Sequence, residues 1–371
     1  MARNLSRRSF LKGGAAAAAT LAASPLVLPQ AVQAATGQEL CTVLDLSKCI
    51  GCESCVDACR EQWQDTVLVP QGPMPKPFPE RVPIEDWSKK KDVQDRLTPY
   101  NFLYIEMLEI DYKGESRELN IPRRCMHCLN PPCVDLCPFG ASRVEKNGVV
   151  HIDSEICLGG AKCRKVCPWH IPQRQSGVGI YLDLMPTLAG NGVMFKCHRC
   201  LPLVKEGKQP RCVEVCPEHV QSIGPRSQML KKAEALARQM AKKDGAGEDK
   251  WKDYVYGLEE NGGTSTIYVS PIPFAVVAKA IDKQHREIKQ EEIARVAKKN
   301  PKKAKRMKKS NLGRPHMHRV ADAMANAENL TYALALAPVA GVVAGFTKLF
   351  SKLNHTPSSE ASSGQDKGGQ A

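Results

Sequence analysis

Aromatic side chains are scarce in this sequence. Its 371 residues include 8 Phe, 8 Tyr and 4 Trp, together 5% of the chain. A chain of this length can form two or three domains, yet so few rings leave much of the core to be held by something else. The sequence offers sixteen cysteines instead. Disulfides, zinc and iron–sulfur clusters are the candidates that cysteines provide, and spacing decides between them.

Acidic residues are missing from two stretches. Residues 1–34 carry four basic side chains and residues 295–319 carry eleven, without one Asp or Glu. These stretches account for the formal net charge of +14, so the rest of the chain is close to neutral. The net charge is therefore no argument that the body of the protein binds nucleic acid.

Several catalytic motifs are also missing. The sequence has no phosphate-binding loop, no dinucleotide glycine pattern after a strand and no nucleophile elbow. These absences point away from an enzyme with a substrate site of its own.

The chain begins with an export signal. Residues 6–12 read SRRSFLK, which fits the twin-arginine pattern residue by residue. An apolar stretch over residues 13–32 follows, and small residues precede Ala35. We therefore predict a signal peptide over residues 1–34 and export through the twin-arginine pathway. Because that pathway carries folded proteins, a cofactor can be loaded in the reducing cytoplasm first.

Fifteen cysteines form four runs. The third run has Gly160 where a cysteine is expected, and the last three runs end in Cys-Pro. The runs are Cys49, Cys52, Cys55 and Cys59; Cys125, Cys128, Cys133 and Cys137; Cys157, Cys163 and Cys167; and Cys197, Cys200, Cys212 and Cys216.

These spacings predict iron–sulfur clusters. In bacterial ferredoxins, closely spaced cysteines hold one cluster, and the cysteine before proline binds the other cluster of a pair. Zinc ribbons use Cys-x2-Cys pairs but need neither the third cysteine nor the closing Cys-Pro. A disulfide framework requires none of these spacings.

The runs repeat in alternating style. The first and third follow a strand that ends in Asp, whereas the second and fourth open with Lys or Arg before Cys-x2-Cys and close with Cys-Val-x2-Cys-Pro. The repeat predicts two modules that arose by duplication. The predicted fold is α+β and loop-rich, with two ferredoxin-like 4Fe–4S dicluster modules, a helical C-terminal extension and one C-terminal transmembrane helix.

We predict the following boundaries. The double iron–sulfur domain covers 35–225, with a proline-rich insertion over 60–100, a helix–strand–helix extension over 226–300, a basic linker over 301–329, a transmembrane helix over 330–347 and a disordered tail over 348–371. The predicted strands are 41–46, 101–111, 149–153 and 264–270. The predicted helices begin with a cap at Ser227 and at Phe274, and end near Gly245 and Lys299.

The predicted membrane span contains seventeen residues without a charge, 330–346. This length is at the short end for a bilayer, and a buried or interfacial helix is the alternative. The heavier basic cluster precedes the span, contrary to a simple positive-inside count, but long exported domains translocate largely regardless of charge. We therefore expect the basic run at the membrane surface, near anionic lipids.

With these motifs the chain resembles the four-cluster electron-transfer subunits of the DMSO reductase superfamily. It most resembles the iron–sulfur subunit of periplasm-facing, quinone-linked nickel–iron hydrogenases, and it is similar to the formate dehydrogenase beta subunit, including residues 262–264 (GGT). The resemblance implies an electron relay between a large catalytic subunit and an integral membrane subunit that binds quinone or haem. It places the protein on the periplasmic side of the bacterial inner membrane. A hydrogenase is the first expectation for the partner; a formate dehydrogenase, another molybdenum or tungsten enzyme, or a multihaem cytochrome complex is the alternative.

The resemblance also implies ligand sets, since in that family the first run pairs with the fourth and the second with the third. The implied sets are Cys49, Cys52, Cys55 and Cys216; Cys197, Cys200, Cys212 and Cys59; Cys125, Cys128, Cys133 and Cys167; and Cys157, Cys163 and Cys137. Sequential pairing, first run with second, is an alternative that the sequence leaves open.

Gly160 supplies no thiolate, so the last set favours a 3Fe–4S cluster beside three 4Fe–4S clusters. The alternative is four 4Fe–4S clusters, with water, Lys162 or His170 as the missing ligand. Relatives with a replaced cysteine here place the altered cluster toward the membrane, which implies the quinone end of the relay.

The remaining candidates have structural interpretations. Cys41 is predicted to be a small buried strand residue. His127, His198 and His219 lie beside ligand cysteines and are expected to tune hydrogen bonding. The two histidines of the basic run, His316 and His318, are expected on a solvated surface. A module that uses clusters only for stability, as a binding scaffold, is the hypothesis from a different class; export and the span count against nucleic acid as its partner.

Overall fold

The computed structural model describes residues 38–74, 83–180, 182, 192–308 and 313–325. The fold below lies in the first of two compact units, residues 1–323. The predicted signal peptide, transmembrane helix and tail lie outside the described residues. Within the described ranges, no helix is long and apolar enough to cross a membrane.

The described elements mix short strands and helices, as an α+β fold requires. The strands are β1 (Leu40–Asp45), β2 (Tyr104–Tyr112), β3 (Glu115–Arg123), β4 (Ser142–Val144), β5 (Val150–Ile152), β6 (Gln173–Gln175), β7 (Val193–Phe195), β8 (Gln221–Pro225), β9 (Val255–Tyr256) and β10 (Thr266–Val269). The helices are α1 (Ser54–Trp63), α2 (Pro132–Asp135), α3 (Lys162–Val166), α4 (Leu201–Lys205), α5 (Arg211–Glu214), α6 (Arg226–Lys243), α7 (Phe274–Ala297) and α8 (Pro301–Met307).

A four-stranded sheet carries the core. Its strand order is β8-β1-β10-β9, in which β1 runs antiparallel to β8 and parallel to β10. Every residue of β1 is buried. Because successive side chains point to opposite faces, Cys41 and Val43 pack with α6, while Leu44 packs with Tyr104 and Phe274 on the other side. The prediction that Cys41 is a buried strand residue is confirmed.

Two similar units flank the cysteine runs. The antiparallel pair β4–β5 lies between the second and third runs. The antiparallel pair β1–β8 has the corresponding place, since β1 leads into the first run and β8 follows the fourth. Helix α1 packs against α5 in one unit, and α2 packs against α3 in the other. The chain therefore forms one module from the outer two runs and inserts the second module between them.

The C-terminal extension follows the predicted order with one correction. Helix α6 begins at Arg226, with Pro225 in the N-cap position and no capping side chain. Ser227 lies inside the first turn, so the prediction that it caps the helix is wrong. Proline fits this position because it needs no amide hydrogen bond. The predicted strand over 264–270 corresponds to β10.

Helix α7 buries only its N-terminal part. Its buried residues are Phe274, Val277, Ala278 and Ile281, which pack in the cluster beneath β2. Ile288 and Val296, which were predicted to share the face of Ile281, are only half-buried. The second half of α7 therefore extends the fold without adding a fully buried face.

Two segments predicted as peripheral pack against the body. In the insertion, Leu97 and Tyr100 are buried. Residues 313–323 form a strap across the body: the Arg123 guanidinium donates to the carbonyls of Pro315 and His316 at 2.8 and 2.9 Å. The expectation that His316 lies on a solvated surface is wrong, because this strap half-buries the ring and its Nε2 lies 3.1 Å from the Pro168 carbonyl. His318 is exposed and contacts Asp282.

Candidate iron–sulfur sites

Every cysteine run adopts the same backbone turn. The third residue of each Cys-x2-Cys segment, or of its counterpart in the third run, has a left-handed conformation: Gly51 (φ 70°), His127 (φ 47°), Gly159 (φ 63°) and Arg199 (φ 51°). Such values are uncommon for His and Arg, so the turn is imposed by the surroundings. Turns of this kind aim successive amide groups into one concavity, which suits an anion. The third run keeps this turn, so only the thiol is missing at Gly160.

The first group consists of Cys49, Cys52, Cys55 and Cys216. All four line one pocket with about 340 Å³ of non-protein space, open solvent included. The Val220 amide donates to Cys216 Sγ at 3.4 Å. This pocket brings together the first run and the last cysteine of the fourth.

The second group, Cys59 with Cys197, Cys200 and Cys212, is buried and rich in donors. Burial raises the pKa of Cys59 well above its usual value, and the other three thiols raise it further. Trp63 Nε1 donates to Cys200 Sγ at 3.1 Å, and Arg124 Nη1 donates to Cys212 Sγ at 2.9 Å. These donors would favour thiolate over thiol.

The third group consists of Cys125, Cys128, Cys133 and Cys167. Burial raises the pKa of Cys128 well above its usual value, and Cys167, Cys125 and Cys133 add to the shift in that order. The structure therefore brings the second run next to the last cysteine of the third.

The fourth group surrounds Gly160. Cys137, Cys157 and Cys163 line a pocket of about 480 Å³, measured in the same way, together with Gly160 and Lys162. A Cβ atom built on Gly160 would meet no atom within 4 Å, so the space for a side chain is open. His170 is not among the lining residues, and its Nδ1 lies 2.9 Å from the Arg164 carbonyl. Of the two substitute ligands considered, Lys162 is thus the one at the pocket.

The four groups follow one another in a row. Besides burial, Cys212 of the second group raises the pKa of Cys55 in the first. Cys125 of the third group raises the pKa of Cys197 in the second, and Cys133 of the third raises the pKa of Cys163 in the fourth. Neighbouring groups are therefore close enough to interact electrostatically.

The two ends of the row reach the surface. Cys52 of the first group is exposed, and Ile50 beside it is 61% exposed. Phe139, which lines the pocket of the fourth group, is 52% exposed. Each end thus offers an apolar contact next to its cysteines.

The charge balance of the interior fits anionic clusters. Arg124, Lys196 and Arg199 are 5%, 6% and 4% exposed, and in the described part of the chain no carboxylate forms an ion pair with them. Buried charges are costly unless they are compensated. Iron–sulfur clusters with four thiolate ligands carry net negative charge, which would supply the compensation.

Orphaned donors point the same way. His127 Nδ1 accepts the Val150 amide at 3.1 Å, so the ring carries its proton on Nε2. That atom is buried and has no partner among the described residues, and the same is true of Arg124 Nη2. Buried donors normally find an acceptor, and the sulfur atoms of a cluster provide one. The residues therefore fit the cofactors that the sequence predicts.

The bare thiols would be protonated. Burial raises the pKa of Cys167 to about 12 and that of Cys200 to about 12. Iron binding must therefore displace these protons. In the described ranges, no three His, Cys, Asp or Glu side chains form a site for a single metal ion; a cluster instead takes its thiolates on separate iron atoms.

The histidines beside the runs act as hydrogen-bonding groups. His198 Nδ1 accepts the Leu201 amide at 3.2 Å, and the ring makes an edge contact with Trp63 at 4.5 Å between centroids. Burial lowers the pKa of His198 to about 4, so the ring is neutral. His219 has a left-handed backbone after Cys-Pro-Glu. For His127 and His198 the predicted role in hydrogen bonding is confirmed.

Sequence comparison identifies the modules. Two family models described as 4Fe–4S dicluster domains match residues 48–141 and 117–226. A third model, the twin-arginine translocation signal, matches residues 4–24. The chain therefore carries the export signal predicted from SRRSFLK.

Relatives were found among curated proteins. A Nitratidesulfovibrio vulgaris protein is 29% identical over 231 residues, which are 62% of this chain and 54% of that protein, so the match spans about half of the relative. The hydrogenase-2 operon protein HybA of Shigella flexneri is 27% identical over 301 residues, 73% of this chain and 82% of the relative. The nitrate-inducible formate dehydrogenase iron–sulfur subunit of Escherichia coli is 28% identical over 232 residues, 62% and 68%.

The cysteine groups and these matches agree with the resemblance drawn from the motifs. This chain is an exported protein with two 4Fe–4S dicluster domains, homologous to the iron–sulfur electron-transfer subunits of hydrogenase, formate dehydrogenase and dimethyl sulfoxide reductase complexes.

Proposed function

We propose that this chain relays single electrons through four clusters, between a catalytic redox subunit and a subunit in the membrane. The observation that carries the proposal is the row of four cysteine groups with an exposed end at each side. When bound, an iron–sulfur cluster accepts and releases one electron at a time. The chain's own part is to hold these centres in sequence, bury the central ones and leave the ends accessible.

The ligand sets are proposed as the sequence predicts them. The shared pocket of Cys49, Cys52, Cys55 and Cys216 supports pairing of the first run with the fourth. The strand pairs β1–β8 and β4–β5 support the same pairing, because each joins the two runs of one module. Sequential pairing would instead require Cys59 to share a cluster with the second run, whereas the thiols that act on its pKa belong to the fourth.

We propose a 3Fe–4S cluster in the fourth group and 4Fe–4S clusters in the other three. Cys137, Cys157 and Cys163 are the three thiols at that pocket, and Gly160 lacks the side chain. A fourth 4Fe–4S cluster, with Lys162 or water as the missing ligand, is the competing outcome.

The proposed location is the periplasmic side of the bacterial inner membrane. The export signal supports it, and the apolar stretch over 330–347 is proposed as the anchor. Lys298, Lys299 and Lys302 are exposed just after α7 and within α8, where they would meet anionic lipid. A hydrogenase is proposed as the catalytic partner because HybA is similar over 73% of this chain; a formate dehydrogenase is the runner-up.

The test is a redox titration of the full chain purified without oxygen, with iron and acid-labile sulfide measured on the same sample. We expect four centres, each reduced by one electron, and a 3Fe–4S signal by EPR in the oxidised state. Clusters that hydrogen, formate and quinol all fail to reduce in the purified complex would favour the scaffold hypothesis. Absence of iron and sulfide would refute the proposal outright.

A further inference from the structure

We propose that Arg124 and Lys196 are bridging cations, each of which extends from the cysteine run of one module to the cluster group of the other and raises the reduction potential there. The inference rests on the cluster assignment proposed above. It concerns the Lys or Arg that opens the second and fourth runs, a repeat for which the relay itself gives no reason.

Arg124 crosses from the third group to the second. It directly precedes Cys125, a residue of the third group, yet its Nη1 donates to Cys212 Sγ of the second group at 2.9 Å and to Gln221 Oε1 at 2.6 Å. Gln221 in turn donates to the Cys212 carbonyl at 3.1 Å. The guanidinium is thus fixed on the second group from both sides.

Lys196 crosses in the opposite direction. It directly precedes Cys197 of the second group, and its ammonium donates to the carbonyls of Val150 and Cys197. Burial opposes the charged form, but Cys125 and Cys133 of the third group keep the pKa of Lys196 raised. The Val150 carbonyl belongs to β5, so the other module anchors the charge.

The two cations keep their electrostatic strength because water does not screen them. Arg124 is 5% exposed and Lys196 is 6% exposed, and unscreened charges interact far more strongly than surface charges. The fourth group differs: Arg164 and Arg174, which lie near it, share the carboxylate of Glu85. The fourth group therefore serves as an internal reference.

Reduction adds a negative charge to a centre. A buried cation in contact with the thiolates stabilises the reduced form more than the oxidised form, so it raises the potential. The effect decreases with distance. Arg124 should therefore act mainly on the second centre and Lys196 mainly on the third, while the fourth keeps its potential.

The test compares Arg124→Gln and Lys196→Gln with Arg124→Lys and Lys196→Arg, which retain the charge. Lys205→Gln, at a lysine with 57% side-chain exposure, is the surface control. Each variant is the full chain loaded with its clusters, and the readout is the midpoint potential of each centre by EPR redox titration. We expect the largest negative shift at the second centre for Arg124→Gln and at the third for Lys196→Gln. The charge-retaining variants and the control should show little change.

Unchanged potentials in both Gln variants, or equal shifts at all four centres, would overturn the inference while the relay stands. A wild-type chain without redox-active clusters would refute the proposed function instead. A Gln variant that loses iron while its charge-retaining partner keeps it would support a requirement for the charge, and equal loss from both would count against it.

Discussion

Gly160→Cys is the most informative substitution in this protein, because it adds the one thiol that the third run lacks. The change should convert the proposed 3Fe–4S centre into a 4Fe–4S centre. Three 4Fe–4S clusters and one 3Fe–4S cluster hold about 15 iron atoms, and the variant should hold about 16. The oxidised-state 3Fe–4S signal should disappear, and the fourth centre should titrate at a lower potential.

The structure predicts little conformational cost. A Cβ atom at Gly160 would contact nothing within 4 Å, and the backbone there is outside the left-handed region. Replacing a glycine at a compatible position changes stability by about 0.4–1 kcal/mol, through the unfolded chain. A change in cluster type would therefore reflect the thiol rather than a damaged fold.

Two controls separate these effects. Gly160→Ala adds the Cβ without the sulfur and should retain the 3Fe–4S signal. Gly72→Cys adds a thiol at an exposed glycine that also has no neighbour within 4 Å and should leave the iron content unchanged. If wild type already holds about 16 iron atoms without a 3Fe–4S signal, the reasoning about Gly160 is refuted.

Three further predictions concern other contacts. Trp63→Phe keeps the ring but removes the donor to Cys200, so the potential of the second centre should fall in a redox titration while that of the fourth is unchanged. Glu85→Gln leaves Arg174, 4% exposed in its side chain, without its counter-charge and should cost about 3–5 kcal/mol in denaturant unfolding of the loaded chain, whereas exposed Lys208→Gln should cost little. Arg164 and Arg174 hold the pKa of Glu85 below its usual value although burial opposes this, so its stabilisation is present above about pH 4.3 and is lost as the pH falls through the lower folded value; Glu85→Gln should lack this acid-dependent part. Arg7→Lys with Arg8→Lys should block export, measured by fractionation, and periplasmic protein from this variant would contradict the signal assignment.

The duplicated architecture explains why the sequence was so informative about the sites. Iron–sulfur ligation requires cysteines at short fixed spacings, so the fifteen cysteines could be located without a structure. The strands beside them were also predictable, because an alternating segment such as residues 41–46 precedes a run in each module. Gly160 was recognisable as a gap only because three complete runs stand beside it.

Long-range contacts could not be predicted in the same way. The spacing around Arg124 shows that a cation opens the run, but its position on Cys212 depends on how the two modules pack. The burial of His316 depends on Arg123, which is almost two hundred residues earlier in the chain. The N-cap of α6 was misplaced because a capping serine is a local signal, while the actual start is set by the strand β8 that runs directly into the helix.

The most direct test of the relay is rapid-freeze EPR of the purified complex during turnover with its electron donor. The complex is the full chain with its co-purifying catalytic and membrane subunits, supplied with hydrogen or formate. The relay requires all four centres to be reduced at least as fast as the complex turns over. Centres that stay oxidised while turnover proceeds would show that the electrons take another route.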